Sequence, residues 1–215
     1  FKRISTSFKQ PFNNRQGSRM RILVVSLMYP LPANSARGTF VADHVQALLS
    51  DGHDVRVVNP LPRMLKYQEA RRSTLTGVAR APRQFEHGGV HVYCPKYIAL
   101  PEHPWPSITS RSIRNQCKKV HQWLGDWKPE VVVCHTLWPV GVMSSVLAQH
   151  YDIPWIGIVH GYDFDVGLNH KNLSKITRKL ATSPNRLVVV SNRLSNLAQE
   201  IGIDEEKIAT TSCHC

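Results

Sequence analysis

A chain of 215 residues, 42% hydrophobic and 20% charged, has the size and make-up of one globular domain with a sizeable core. It contains no apolar run of about 18 residues or more, which excludes a membrane-spanning helix read from sequence, and no apolar signal-peptide core opens it. Twenty-seven Lys and Arg against fifteen Asp and Glu give a formal charge of +12. Such a surface attracts phosphates on nucleic acid, lipid headgroups or nucleotide-sugars without distinguishing among them.

Residues 1–19 carry Lys2, Arg3, Lys9, Arg15 and Arg19, no acidic residue and little apolar pattern, so they are expected to be a disordered basic segment. Met20 begins Met-Arg-Ile-Leu-Val-Val-Ser in the manner of a natural start, so the residues before it read either as upstream sequence or as a genuine basic tail. Ile22–Leu27 is short, apolar and rich in β-branched residues, the mark of a strand buried on both faces. Tyr29-Pro30-Leu31-Pro32 ends it. A helix is predicted from about Gly38, with Phe40, Val41, His44, Val45, Leu48 and Leu49 on one face, and then a strand over Val55–Val58. Strand, helix and strand within about forty residues make a βαβ unit and a parallel sheet.

Between 60 and 89 the order loosens, with six basic residues (Arg63, Lys66, Arg71, Arg72, Arg80, Arg83) against Glu69 and Glu86. Val90–Tyr93 resembles a strand, and Pro95–Pro106 is irregular and proline-rich. Helices are then predicted near Ile108–Leu124, Val140–His150, Lys171–Thr182 and Asn192–Ile201, alternating with strands at Val131–Cys134, Trp155–Val159 and Leu187–Val190. This alternation predicts an α/β domain, doubly wound on a mostly parallel Rossmann-like sheet, from about residue 20 to 210.

Ligands of such sheets lie beyond the carboxyl ends of the strands, which makes those ends the places to look for chemistry. The first closes on Arg37-Gly38-Thr39, where glycine and helix-start amides suit an anion or an ordinary helix entry. His135, in Cys134-His135-Thr136, reads equally as a ligand contact or a cap of the following helix. His160-Gly161-Tyr162-Asp163-Phe164-Asp165 is the densest polar cluster, able to bind sugar hydroxyls or a phosphate. In Ser191-Asn192-Arg193 a helix cap is the default, with Arg193 an alternative anion ligand. No G-x-G-x-x-G follows the first strand and no phosphate-loop motif occurs, which argues against dinucleotide oxidoreductases, epimerases and P-loop NTPases. The five cysteines (Cys94, Cys117, Cys134, Cys213, Cys215) read as free thiols of a reducing compartment. Cys213-His214-Cys215 is too tight for a tetrahedral zinc site, and Cys134 and His135 point to opposite faces of a strand, so no metal site is expected.

Taken in order, these motifs resemble the N-terminal, acceptor-side domain of the family 4-like retaining glycosyltransferases, one half of a GT-B fold. Met20-Arg21-Ile22-Leu23-Val24-Val25-Ser26, the Gly38-Thr39-Phe40-Val41 helix start and Gly52-His53-Asp54-Val55 are similar to the family's opening. Pro129-Glu130-Val131-Val132-Val133-Cys134-His135, Val159-His160-Gly161-Tyr162-Asp163 and Val188-Val189-Val190-Ser191 with Gly202-Ile203 to Lys207-Ile208 resemble its later motifs. The resemblance spans about Met20 to Ile208 and leans toward enzymes of cell-surface polysaccharide assembly. It implies transfer of a sugar from a nucleotide-sugar donor to a glycan or lipid-linked acceptor, with no cofactor and no bound metal. His160 would be the catalytic residue near the transferred sugar, and Gly38 and Thr39 would face the donor diphosphate. His135, Gly161, Asp163 and Arg193 complete the expected substrate-binding set.

The sequence departs from the family after Thr210. There the family continues into a second, donor-binding domain, whereas Thr211-Ser212-Cys213-His214-Cys215 is an atypical tail. The expectation is therefore a truncated chain, inactive alone. The expected location is the cytoplasm, with peripheral contact at the inner, anionic face of the membrane and no specific nucleic-acid partner. The alternative reading of the charge is a non-catalytic basic α/β module that binds nucleic acid or anionic lipid.

Overall fold

The structure, a computed structural model, describes residues 18–64, 69 and 75–211. The basic segment 1–17, Lys66, Arg71 and Arg72 of the arginine-rich stretch, and residues 212–215 lie outside the described residues.

Strand β1 (Arg21–Ser26) is buried along its length after Arg21, as its apolar β-branched run requires. Helix α1 (Thr39–Ser50) and β2 (Asp54–Val58) complete the first βαβ unit, and β1 pairs with β2 in parallel. Further along come β5 (Val90–Tyr93), α2 (Pro106–Leu124), β7 (Val131–His135), α3 (Val140–Tyr151), β8 (Trp155–Val159), α4 (Ser174–Thr182), β9 (Arg186–Val189) and α5 (Asn192–Glu200). Each lies within a few residues of its predicted position.

Four strands are additional. β4 (Gln84–His87) is antiparallel to β5 at the sheet edge, and β10 (Ile208–Thr210) extends the opposite edge beside β9. β3 (Leu61–Pro62) and β6 (Lys96–Tyr97) form a small separate parallel sheet. Phe85 is the only apolar residue of β4, while β3 and β6 have two residues each, so periodicity has nothing to register.

The main sheet runs β10-β9-β8-β7-β1-β2-β5-β4 and is parallel except at β4. Side chains alternate to its two faces. Leu23, Val25, Val132, Cys134 and Val159 pack with Ile113 and Val120 of α2, Met143 and Leu147 of α3, Leu180 of α4 and Leu194 of α5. Ile22, Val24, Val131, Val133 and Ile158 pack on the other side with Val41 and Val45 of α1 and with Val78. Val41 and Val45 are fully buried; burying each contributes about 2 kcal/mol, which seats α1 firmly on its face.

Candidate functional site

The sheet order reverses between β1 and β7. From β1 the chain winds outward through β2, and from β7 it winds the opposite way through β8, β9 and β10. The helices leaving neighbouring strands therefore diverge to opposite faces, so the carboxyl ends of β1 and β7 flank the switch-point crevice in which ligands of such sheets bind. Ser26, the last residue of β1, pairs with His135, the last of β7, and His135 pairs in turn with Ile158 of β8. His160 follows immediately after β8.

Three imidazoles meet there. His135 shares its strand face with Val131 and Val133, the face that α1 covers, and α1 brings Phe40 and His44 over it from successive turns. His44 Nδ1 lies 2.9 Å from His135 Nε2, and His135 Nδ1 lies 3.1 Å from His160 Nε2. The His135 and His160 rings are nearly parallel, at 10°, and Phe40 stands edge-on to His160 with centroids 5.0 Å apart. His135 is 2% exposed and His44 6%. Burial pushes all three imidazoles below their ordinary pKa, His160 to about 4 and His135 well down, the latter also through its two histidine neighbours. The row is uncharged at neutral pH.

The remaining predicted residues divide by environment. Gly38 is the N-cap of α1 with φ +63°, and a Cβ there would lie 2.4 Å from the Met28 carbonyl carbon. The close approach that demands glycine is to the protein's own backbone. Thr39 is exposed at the first turn of α1, which no side chain caps. Gly161, at φ +109°, turns the chain directly after His160.

His135 has both ring nitrogens engaged by histidines, so neither alternative read from sequence, ligand contact or helix cap, describes its imidazole. Asp163 is 3% exposed and turned inward: its Oδ1 accepts from the Leu137 and Trp138 amides at 2.7 and 3.3 Å, tying the loop after β7 to the loop after β8. Burial raises its pKa to about 6, against the lowering effect of those amides. Arg193 donates both arms of its guanidinium to Asp165, at 2.7 and 2.9 Å, on the exposed rim. The cap at that helix is Ser191, which accepts from the Leu194 amide at 3.3 Å.

The chain matches the family model described as a glycosyl transferase 4-like domain over residues 37–214. It belongs to that family. A Bacillus subtilis (strain 168) protein, TuaC, named for a glycosyltransferase role in teichuronic acid biosynthesis, is 26% identical over 190 residues. The match covers 85% of this chain and 47% of TuaC, so the chain spans about half the length of its curated relative. Among solved structures, UDP-N-acetylglucosamine 2-epimerase from Rickettsia bellii superposes with a TM-score of 0.54 at 13% identity, over 92% of this chain and 46% of that one. The S. aureus MnaA–UDP complex gives 0.56 at 14% identity, over 89% and 44%. Arabidopsis thaliana UGT89C1 complexed with UDP gives 0.50 at 10% identity, over 92% and 50%. At these identities the likeness is one of fold: a GT-B-like, Rossmann-type α/β architecture that transferases and epimerases share.

Two features of this glycosyl transferase 4-like domain escape a reading of its motifs. His44 counts there only as one more position on the buried face of α1; a histidine four residues after Phe40 in an apolar stripe is the one signal that it has a polar partner. Arg37, 7% exposed, donates to the carbonyls of Leu27 and Tyr29 and to Asn59 Oδ1, while Asn59 Nδ2 donates to the Ser26 carbonyl. Together they clamp the loop after β1 to the end of β2, and burial lowers the Arg37 pKa to about 10. Among the described residues no cluster of His, Cys, Asp or Glu is arranged to hold a metal ion, and no helix is long and apolar enough to cross a membrane.

Proposed function

We propose that this domain is the acceptor-side half of a retaining glycosyltransferase, moving a sugar from a nucleotide-sugar to a hydroxyl of a glycan or lipid-linked acceptor in cell-surface polysaccharide assembly. The observation that carries the reading is His160: an uncharged imidazole at a strand end beside the sheet reversal, flanked by Phe40 and a glycine turn, in a chain of this family. In a retaining transfer positive charge builds on the sugar ring while the diphosphate leaves. A neutral imidazole hydrogen-bonds the sugar without adding a repelling charge there. Thr39 and the uncapped first turn of α1 offer amides to the diphosphate, so the reading asks for no metal or other cofactor. Asp163 and Arg193 serve this site by fixing its loops.

TuaC's name supports the polysaccharide assignment, and its greater length supports a second, donor-binding half as a requirement for turnover. The outer side of α2 carries Arg111, Arg114, Lys118 and Lys119, all exposed, beside Trp105 at 61% exposure and Ile108 at 42%. That combination suits peripheral contact with an anionic membrane, where a lipid-linked acceptor would lie. The test is a transfer assay with nucleotide-sugars on residues 1–215 alone and joined to a donor-binding half. Transfer only by the joined protein supports the reading; multiple-turnover transfer by 1–215 alone overturns the requirement for a second half.

A further inference from the structure

The row of imidazoles carries more information than its position. Each neutral ring has one ring proton, and two N···N contacts join the three rings through both nitrogens of His135. A neutral His135 cannot donate at both contacts, nor accept at both. Only two proton arrangements therefore satisfy the row. In one, all three protons sit on Nε2: His160 donates to His135 Nδ1, and His135 donates to His44 Nδ1. In the other, all three sit on Nδ1 and both bonds reverse. The neutral histidine side chain intrinsically favours the Nε2 proton, and because the rings must switch together the row sums that preference over three residues. At its ends, His160 Nδ1 and His44 Nε2 have no partner among the described residues, and neither is among the buried polar atoms left unpaired.

We propose that His44 is a positioning residue that acts through His135 to hold His160 in its Nε2–H form, so that His160 meets a sugar hydroxyl at Nδ1 as an acceptor. A bare Nδ1 lone pair accepts from a hydroxyl and repels a phosphate oxygen, which assigns His160 to the sugar and not to the diphosphate. The choice of ligand rests on the function proposed above; the proton arrangement does not. Burial supplies the neutrality it needs, since it disfavours the imidazolium at all three positions.

The experiment is long-range 1H–15N NMR on the 15N-histidine-labelled chain at pH 7.5, without ligand, a readout that does not depend on sugar transfer. The expected spectrum shows Nε2–H tautomers for His44, His135 and His160, with an unprotonated Nδ1 in His160. A protonated Nδ1 in His160, or an imidazolium anywhere in the row, overturns the proposal. His44→Phe tests the coupling. It leaves the all-Nε2 arrangement with an unpaired buried N–H on His135, and the reverse with only an unpaired lone pair, the less costly of the two. His160 should therefore shift toward the Nδ1–H form, while Asp43→Asn, on the exposed side of α1, should leave it unchanged. A His160 signature that ignores His44→Phe overturns the positioning role, and the wild-type spectrum decides the tautomer even if that variant fails to fold.

Discussion

The uncharged state of His44, His135 and His160 links the crevice to folding. Their folded pKa values lie below the unfolded value of about 6.5, so on acidification the unfolded chain takes up protons first. Their share of the stability is whole above about pH 6.5 and is lost as pH falls toward about 4, where His160 titrates. His103, lowered by burial and by His170, acts in the same direction. Asp163 has the opposite sign: raised from 3.8 to about 6, it binds protons more readily when folded and favours the fold as pH falls through that window. At about 1.4 kcal/mol per pKa unit, His160 and Asp163 each amount to about 3 kcal/mol and nearly offset one another. His135, His44 and His103 then set the sign. Urea unfolding should give a lower free energy at pH 4.5 than at pH 7, and Asp163→Asn should steepen the fall by removing the opposing group. A flat profile contradicts the neutral row. At this scale His160 and Gly161 are legible in the sequence, because a polar cluster after an apolar strand stands out. His44 and the inward turn of Asp163 are not, since both depend on partners 91 and 26 residues away.

Helix α1 carries half of the crevice, and its seat depends on backbone fit. Gly38 combines a left-handed φ with a site where a Cβ would overlap Met28 and Tyr29 backbone atoms at 2.4–2.7 Å. Left-handed strain alone costs about 1–2 kcal/mol for a residue with a Cβ, and the overlap adds to it. Gly38→Ala is accordingly expected to destabilise the domain by about 3 kcal/mol or more in urea unfolding, and to displace Phe40 and His44 from the histidines below. A loss under about 1 kcal/mol would show that the loop after β1 yields easily, despite the Arg37 and Asn59 clamp. The elements legible in the sequence are those with long apolar patterns: β1, β2, β7, β8, β9 and their helices. The edge strands β4 and β10 take their pairing from neighbours rather than from their own residues, and the clamp made by Arg37 depends on carbonyl partners that its motif does not reveal.

For the whole molecule, the +12 charge and the outer side of α2 bear on where the protein works. A Lys or Arg near an anionic surface contributes about 1 kcal/mol, so on the proposed membrane contact the four on α2 would suffice for reversible association, with the exposed Trp105 and Ile108 beside them. The chain should co-sediment with phosphatidylglycerol-containing vesicles at low salt and detach at high salt; equal binding to neutral vesicles contradicts an electrostatic attachment. On the function proposed for this glycosyl transferase 4-like domain, the crevice is where transfer takes place, and His160 is the residue whose loss should bear most on it. His53 provides the control: it accepts from the Met20 amide at 3.3 Å beside the start of β1, at the far end of the sheet from the crevice. The most direct measurement is the turnover of His160→Ala and His53→Ala in the domain joined to a donor-binding half. His160→Ala should lower turnover by about a hundredfold or more, the loss of a few kcal/mol of transition-state stabilisation, with circular dichroism unchanged and His53→Ala close to wild type. Equal turnover in the two variants would contradict the assignment of His160 to the reacting sugar.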